Sequence, residues 1–489
     1  VIFVKVGSAA VTVPLAIGYL DEQWFGVWIL VSQVALFFQL VDVGFSEAFV
    51  RLLIEFRERG GESYVAGIRT AILTFLVQSA ILLLVALPLI QFGPALLRLE
   101  GAKADTFVAL VQAQTILFCV SNVVRIFEQI LFANQRLDLA NIATIIAFPV
   151  SLLVVWLSFA SGVGIWSMFY GQAALIATLL MFRLGFSLQT GLFRFGMLRG
   201  PASRHQFIEV FNYGKDRFLA TFGDRMLRVA PGFVVARYLG LEATAMWGVG
   251  QKIIQIAEQM LSKPLDMSYP YIAEMYVKRQ WGELDRRYGQ ICHGLSLLVG
   301  AVTCGAIIGL GGFVDLWTGG EIAMPGAVAA GFGLLLCAQM LKRSLWMTVT
   351  IPKNMGWTRV TNFADLGMFC LLALVTLAFG AGFGILVMAV AAATIGTSVP
   401  YMLGRARGFP FEQGLARVLS RYRLLIIGIA SGLLGWSVSR LLVTGGAVVE
   451  LILAVGFAAA TFSVGALLTP DARVWLANVG KRFAPRTGR

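Results

Sequence analysis

LAIGYLDEQWFGVWILVSQVALFF, residues 15–38, holds two apolar runs separated only by Asp21, Glu22 and Gln23. An apolar run of about 18 residues or more reads as a membrane-crossing helix, and so short a polar break leaves room for a turn at the bilayer surface. The same pattern extends outward to both ends of the chain. One group of runs comprises Val1–Leu20, Trp24–Val50, Tyr64–Phe92, Thr106–Ala133, Ala140–Ala160 and Gly164–Phe182. The other comprises Phe211–Leu239, Ala243–Pro270, Tyr288–Val314, Pro325–Ile351, Val360–Phe379, Gly384–Leu403, Leu424–Thr444 and Ala447–Leu468. The prediction is an all-α integral membrane protein of about fourteen transmembrane helices. Val1 stands inside an apolar run, so the first run is taken as a true span and the native start is expected upstream of it.

Composition supports this class. Of 489 residues, 58% are hydrophobic and 13% are charged. A soluble domain carries about 25% charged residues, and half that share cannot coat a water-facing surface of this size. The net charge of +13 finds its place in the connections rather than in a nucleic-acid interface. One alternate set of connections holds Arg51, Arg57, Arg59, Arg136, Arg183, Arg194, Arg199, Arg204, Lys278, Arg279, Arg286, Arg287, Lys353, Arg359, Arg405, Arg407, Arg417, Arg421, Arg423 and the cations of the C-terminal tail. The opposite set holds only Arg98 and Lys103. The positive-inside rule therefore puts the first set and both termini in the cytoplasm. The outer connections are too short for a soluble catalytic face, and no Walker A, DxD, HExxH or GxSxG pattern occurs, so no enzyme is expected. The five cysteines and two histidines have no metal-ligand spacing, so neither a metal nor another cofactor is expected.

Tyr19-Leu20 followed by Trp28 recurs as Tyr238-Leu239 followed by Trp247, an offset of 219 that also pairs Glu47 with Asp266, Glu55 with Glu274 and Arg59 with Lys278. Six spans separate the copies, so the halves are parallel repeats, as in transporters that rock two halves about a central site. The expected organisation is an N-terminal lobe (1–184, helices 1–6), a basic cytoplasmic linker (185–210) and a C-terminal lobe (211–404, helices 7–12). A basic cytoplasmic loop (405–423), a helix pair (424–469) and a basic cytoplasmic tail (470–489) follow.

Ionisable residues inside a bilayer cost about 2.5–3.5 kcal/mol each and mark functional positions when they cannot snorkel. Span seven carries Lys215, Asp216, Arg217, Asp224, Arg225 and Arg228, with Pro231 as a possible kink. Arg225 and Arg228 lie about 21–26 Å from its start at 1.5 Å per residue, beyond reach of the cytoplasmic headgroups. Arg217, Asp224 and Arg228 share a face that either lines a polar cavity or forms structural ion pairs. On span eight, Lys252 lies about 14 Å in, and Gln251, Gln255, Glu258 and Ser262 form a polar stripe that should face inward. Arg225, Arg228, Lys252 and Gln255 are the candidate substrate-binding residues. The repeat matches Lys5 with Asp224, a candidate latch. Asp42, Glu47, Asp266, Arg125 and Arg343 (with Lys342 beside it) are candidates for a cytoplasmic gate or for separate ion pairs within each half. Asp42, Glu47, Asp224 and Glu258 are also candidates for coupling to H+ or Na+. Gly428 and Gly432 form a GxxxG, a motif that more often packs helices within a chain than makes a dimer.

The segments Pro14, Tyr19-Leu20, Phe25-Gly26-Val27-Trp28, Asp42-Val43-Gly44-Phe45 and Arg51 resemble the start of the Wzx-type polysaccharide (O-antigen or exopolysaccharide) flippases. Ala133–Leu139, Tyr238-Leu239-Gly240 and Tyr269-Pro270 are similar to later segments of that family. The resemblance implies the fold shared with MATE multidrug exporters and lipid II flippases: two six-helix lobes and a helix pair. It further implies a bacterial inner membrane and an undecaprenyl-pyrophosphate-linked oligosaccharide as cargo, held by cations of a central cavity. Membrane lipids and the polysaccharide polymerase machinery are its candidate partners. Gln33 stands where the repeat puts Lys252, a departure from a strongly basic first lobe. A lipid II flippase or a drug exporter is the alternative within transporters, and a membrane glycosyltransferase or ligase the alternative outside them.

Overall fold

In lipid a backbone N–H or C=O has no water to bond, so each long apolar run must close its hydrogen bonds within itself, as a helix. The computed structural model describes residues 2–42, 45–352, 357–380, 382–406, 420–442 and 446–468. The basic stretches 407–419 and 469–489, read above as part of a cytoplasmic loop and as the tail, lie outside the described residues. Among the described residues all regular structure is helical.

The first compact unit, Val1–Ala245, contains α1 (Ile2–Tyr19), α2 (Glu22–Phe38), α3 (Phe45–Glu58), α4 (Gly61–Leu97), α5 (Gly101–Ala133), α6 (Leu137–Ala160) and α7 (Trp166–Gln189). It ends within the long α8 (Arg204–Leu261), which breaks at Gly240. The second unit, Met246–Arg489, takes up the remainder of α8 and continues through α9 (Lys263–Val277), α10 (Trp281–Trp317), α11 (Gly326–Thr350), α12 (Thr358–Ala378), α13 (Phe383–Ile395) and α14 (Ser398–Ala406). It closes with α15 (Arg423–Leu442) and α16 (Ala447–Leu468). Among the described residues ten helices are long and apolar enough to cross a membrane, and α1 and α2 are shorter apolar helices. The charged α8 is not among these ten. This is a multi-pass membrane fold.

The boundaries repeat as the sequence does. Asp21, between α1 and α2, accepts a hydrogen bond from Trp24 N at 2.7 Å and so caps α2. The equivalent break in α8 is made by Gly240, whose φ of 86° and ψ of −176° are open only to glycine. Both α4 and α10 run for 37 residues, starting at Gly61 and Trp281.

Lipid chains are as apolar as leucine, so cohesion inside each unit rests on close packing rather than on exclusion from water. In the first unit Phe49, Phe56, Phe75, Phe127 and Phe193 fill one core, with Gly67 leaving room for the Phe56 ring. In the second unit α10 packs against α11, α15 and α16. Gly300 of α10 meets the backbone of Leu424 and Gly428, while Gly432 lies on Cys304 and Ile307. The GxxxG motif thus packs within the chain, because small residues let two helix backbones approach.

Candidate functional site

The first arm of α8 places the deep charges of the first unit. Its helical angles continue through Pro231, and the break lies at Gly240 instead. Arg228 pairs with Asp224 one turn earlier at 3.6 Å, and both side chains are partly exposed. A pair so open contributes about 0–1 kcal/mol. Arg225 is half-buried and donates a long hydrogen bond, 3.5 Å, to the Gln39 carbonyl. Gly232 lets α8 approach α2: a Cβ there would lie 2.7 Å from Cδ of the buried Gln33. Lys5 is exposed on α1. The side chains of Asp42, Glu47, Asp216 and Arg217 lie outside those described, so the face predicted for Arg217, Asp224 and Arg228 is described through its last two members.

In the second unit the α8 stripe divides. Gln251 and Ser262 are buried, Gln255 and Glu258 are half-buried, and Lys252 is exposed. Trp247 is fully buried and packs on Phe332 at 5.5 Å, which fixes the rotation of this arm and turns Lys252 out of the packed face. Asp266 pairs with Arg343 at 2.8 Å and with Lys263 at 3.8 Å, ion pairs contained within one unit. Arg125, in the first unit, lies over the Phe118 ring at 5.2 Å, a cation–π contact.

Several buried ion pairs escaped the sequence reading, Arg421 with Asp285 among them. Arg183, counted above among the loop cations, belongs instead to α7, where it is buried and makes a bidentate pair with Glu128 of α5 at 2.8 and 3.1 Å. Lys342 of α11 is bound to the fully buried Asp365 of α12 at 3.3 Å. Asp365 also accepts from Thr397 N at 2.6 Å, Thr397 Oγ1 at 3.0 Å and Ser398 N at 3.1 Å, so it caps α14 where the helix of span twelve breaks at Gly396. A lone carboxylate inside an apolar run, followed by Gly396-Thr397-Ser398 in the next, was the available signal.

The basic excess on α8, against a backdrop of apolar helices, can hold an anion: guanidinium groups present a planar fork that matches phosphate oxygens. Neither a protein-family model nor a curated protein matches the chain. Solved structures do. One described as "Lipid II flippase MurJ, inward closed conformation" superposes with a TM-score of 0.70 at 11% identity, over 95% of this chain and 98% of that one. An inward-facing multidrug resistance MATE family transporter of the MOP superfamily gives 0.66 at 12% identity, over 84% and 94%. A MATE structure in a bent conformation gives 0.53 at 13% identity, over 83% and 92%. At these identities the likeness is one of fold. Among the described residues the chain has a MATE-like, all-helical membrane fold.

Proposed function

We propose that this chain, with the fold of a lipid II flippase and of multidrug transporters as the starting point, moves an undecaprenyl-pyrophosphate-linked oligosaccharide from the cytoplasmic to the outer leaflet of a bacterial inner membrane. The observation that carries this reading is the surplus of positive charge on the two arms of α8. Arg225, Arg228 and Lys252 outnumber Asp224 and Glu258 among the deep charges of these arms. Such a surplus repels a cationic drug and attracts a pyrophosphate, whose interaction with cations strengthens as the dielectric falls.

The mechanism is alternating access between the repeats 1–184 and 211–404, joined by the linker 185–210, with both termini in the cytoplasm. The headgroup comes in from the cytoplasmic side, its phosphates pair with Arg225, Arg228 and Lys252, and Gln255 donates to sugar or phosphate oxygen. Rocking of the repeats then opens the site outward while the hydrocarbon tail stays in lipid. Asp42, Glu47, Asp224 and Glu258 are the carboxylates able to take up H+ or Na+ during the cycle, and Lys5, Asp266, Arg125 and Arg343 the charges placed to gate it. Lipid II is the second reading, favoured by the superposition on MurJ over 95% of the chain. It calls for the same phosphate-binding cations and differs in the sugar.

Translocation of a fluorescent undecaprenyl-pyrophosphate-linked oligosaccharide in proteoliposomes tests the proposal. The native chain should transport, and Arg225→Ala and Lys252→Ala should each slow it at least about tenfold, the equivalent of 1.4 kcal/mol. Arg228→Ala should lose less, because part of its charge is already compensated. Unaltered rates in all three would remove these cations from the mechanism, and no transport by the native chain would sink the substrate assignment.

A further inference from the structure

The first arm of α8 carries a feature that the cation site does not use. Phe211, Phe218 and Phe222 recur at helical spacing along one face and, with Phe37, Val77 and Ile81, enclose a groove of about 420 Å³ between α2, α4 and α8. That is the size of a small-ligand pocket. Its lining is almost wholly apolar, and the hydroxyl of Thr74, one of its few polar groups, is turned onto the carbonyl of Thr70 at 2.8 Å. The groove is open along its length: Val77, Ile81 and Phe211 are 40%, 45% and 46% exposed.

One end of this apolar trough is cationic. Arg225 follows Phe222 by one helical turn, on the same face, and its guanidinium reaches the carbonyl of Gln39, which lies between the groove residues Phe37 and Leu40. From Phe211 to Arg225 the helix rises about 21 Å. A trough of aromatic and aliphatic side chains leading to the Arg225 guanidinium is complementary to an amphiphile with one anionic end and a long hydrocarbon chain. It is not complementary to a neutral lipid, which would leave the arginine unmatched, nor to a soluble anion, which would leave the trough empty.

We infer that this groove holds part of the hydrocarbon chain of the transported lipid while its phosphate lies at Arg225. The inference rests on the lipid-phosphate reading of the cation site and adds a place for the tail. The chain is then guided by the protein within the first unit, so the headgroup and tail of one lipid are gripped by the same helix. Ordinary bilayer phospholipid, which also carries a phosphate, is the competing occupant, and competition by phosphatidylglycerol separates the two.

The test places a photoreactive benzophenone side chain at Val77 or, separately, at Ile81 of the full chain in phosphatidylcholine nanodiscs, with radiolabelled undecaprenyl phosphate as the probe. Both positions should label at least five times more strongly than the lipid-exposed Leu371 of α12. Unlabelled undecaprenyl phosphate should compete at least ten times better than undecaprenol or dioleoylphosphatidylglycerol. Arg225→Gln should cut labelling at least fivefold, and Arg225→Lys, which keeps the charge, should retain half of it or more. Labelling no stronger than at Leu371, equal competition by phosphatidylglycerol, or equal loss in the Gln and Lys variants would each overturn the inference. Transport measured on the same preparations keeps the two proposals apart: a chain that transports but does not label loses only the groove, and one that does neither loses both.

Discussion

Asp365 shows how a single side chain is held inside the bilayer. Its carboxylate receives an ammonium, two backbone N–H groups and a hydroxyl, so little of its hydrogen-bonding capacity is left unmet. Lys342 is 8% exposed in its side chain, and its bond to Asp365 is an ion pair of the kind whose disruption strands a buried charge, at about 3–5 kcal/mol. The two partners are therefore not equivalent. Lys342→Met leaves a carboxylate that still accepts from Thr397 and Ser398, whereas Asp365→Leu leaves an ammonium without its carboxylate and uncaps α14. Thermal unfolding in detergent should rank native above Lys342→Met above Asp365→Leu, and the reverse order of the variants would show that the cap contributes less than the pair. At this scale the sequence was only partly legible. Charge inside an apolar run is visible, and it marked Arg225, Arg228 and Lys252. The partner of a charge is not visible when it lies on another helix, and so Lys342 was read with Arg343 as a gate although the two side chains have opposite fates: one is buried against Asp365, the other exposed on Asp266.

The elements were more legible, because apolar length and a repeating turn leave few alternatives in lipid. The runs ending at Leu20 and Leu239 do end in breaks, one capped by Asp21, the other turned by Gly240. Arg183 was misread for a reason that belongs to helices: α7 continues to Gln189, about two turns beyond the predicted end at Phe182, and an arginine there finds a carboxylate on α5 rather than water. Gly240 gives a clean test of local backbone demand. No heavy atom lies within 4 Å of where a Cβ would sit, so a substitution meets no steric neighbour. Its φ and ψ nevertheless lie outside the left-handed helical region that asparagine tolerates. Gly240→Ala and Gly240→Asn should therefore both destabilise, by roughly 1–3 kcal/mol, in an unfolding measurement. Rescue by asparagine would show instead that the turn relaxes into an ordinary left-handed conformation.

For the whole molecule, the repeat and the loop cations carry most of the meaning. The periodic hydropathy accounts for the apolar crossing helices, ten of them among the described residues, and the offset of 219 is echoed in a contact: Gln23 donates to Glu242 at 3.3 Å, the residue 219 positions on. The bias of arginine and lysine predicts sidedness independently of the fold. In a cysteine-free background, Ser161→Cys should react with an impermeant maleimide on intact cells and Arg194→Cys only after permeabilisation. The opposite pattern would invert the assigned topology and with it the direction of transport. What hydropathy and charge could not reveal was the aromatic groove beside Arg225, because three helices from distant parts of the chain build it and each of its phenylalanines alone reads as lipid-facing.

The Lys342–Asp365 pair also constrains how the protein is made. Spans enter the membrane in order from the ribosome, and each lone charge at the centre of a helix resists insertion by about 2.5–3.5 kcal/mol. Span ten emerges with Lys342 and no counter-charge; the carboxylate that compensates it arrives 23 residues later. Biogenesis of this region is therefore favoured when the two helices partition into lipid as a hairpin, each carrying the other's neutraliser, rather than one after the other.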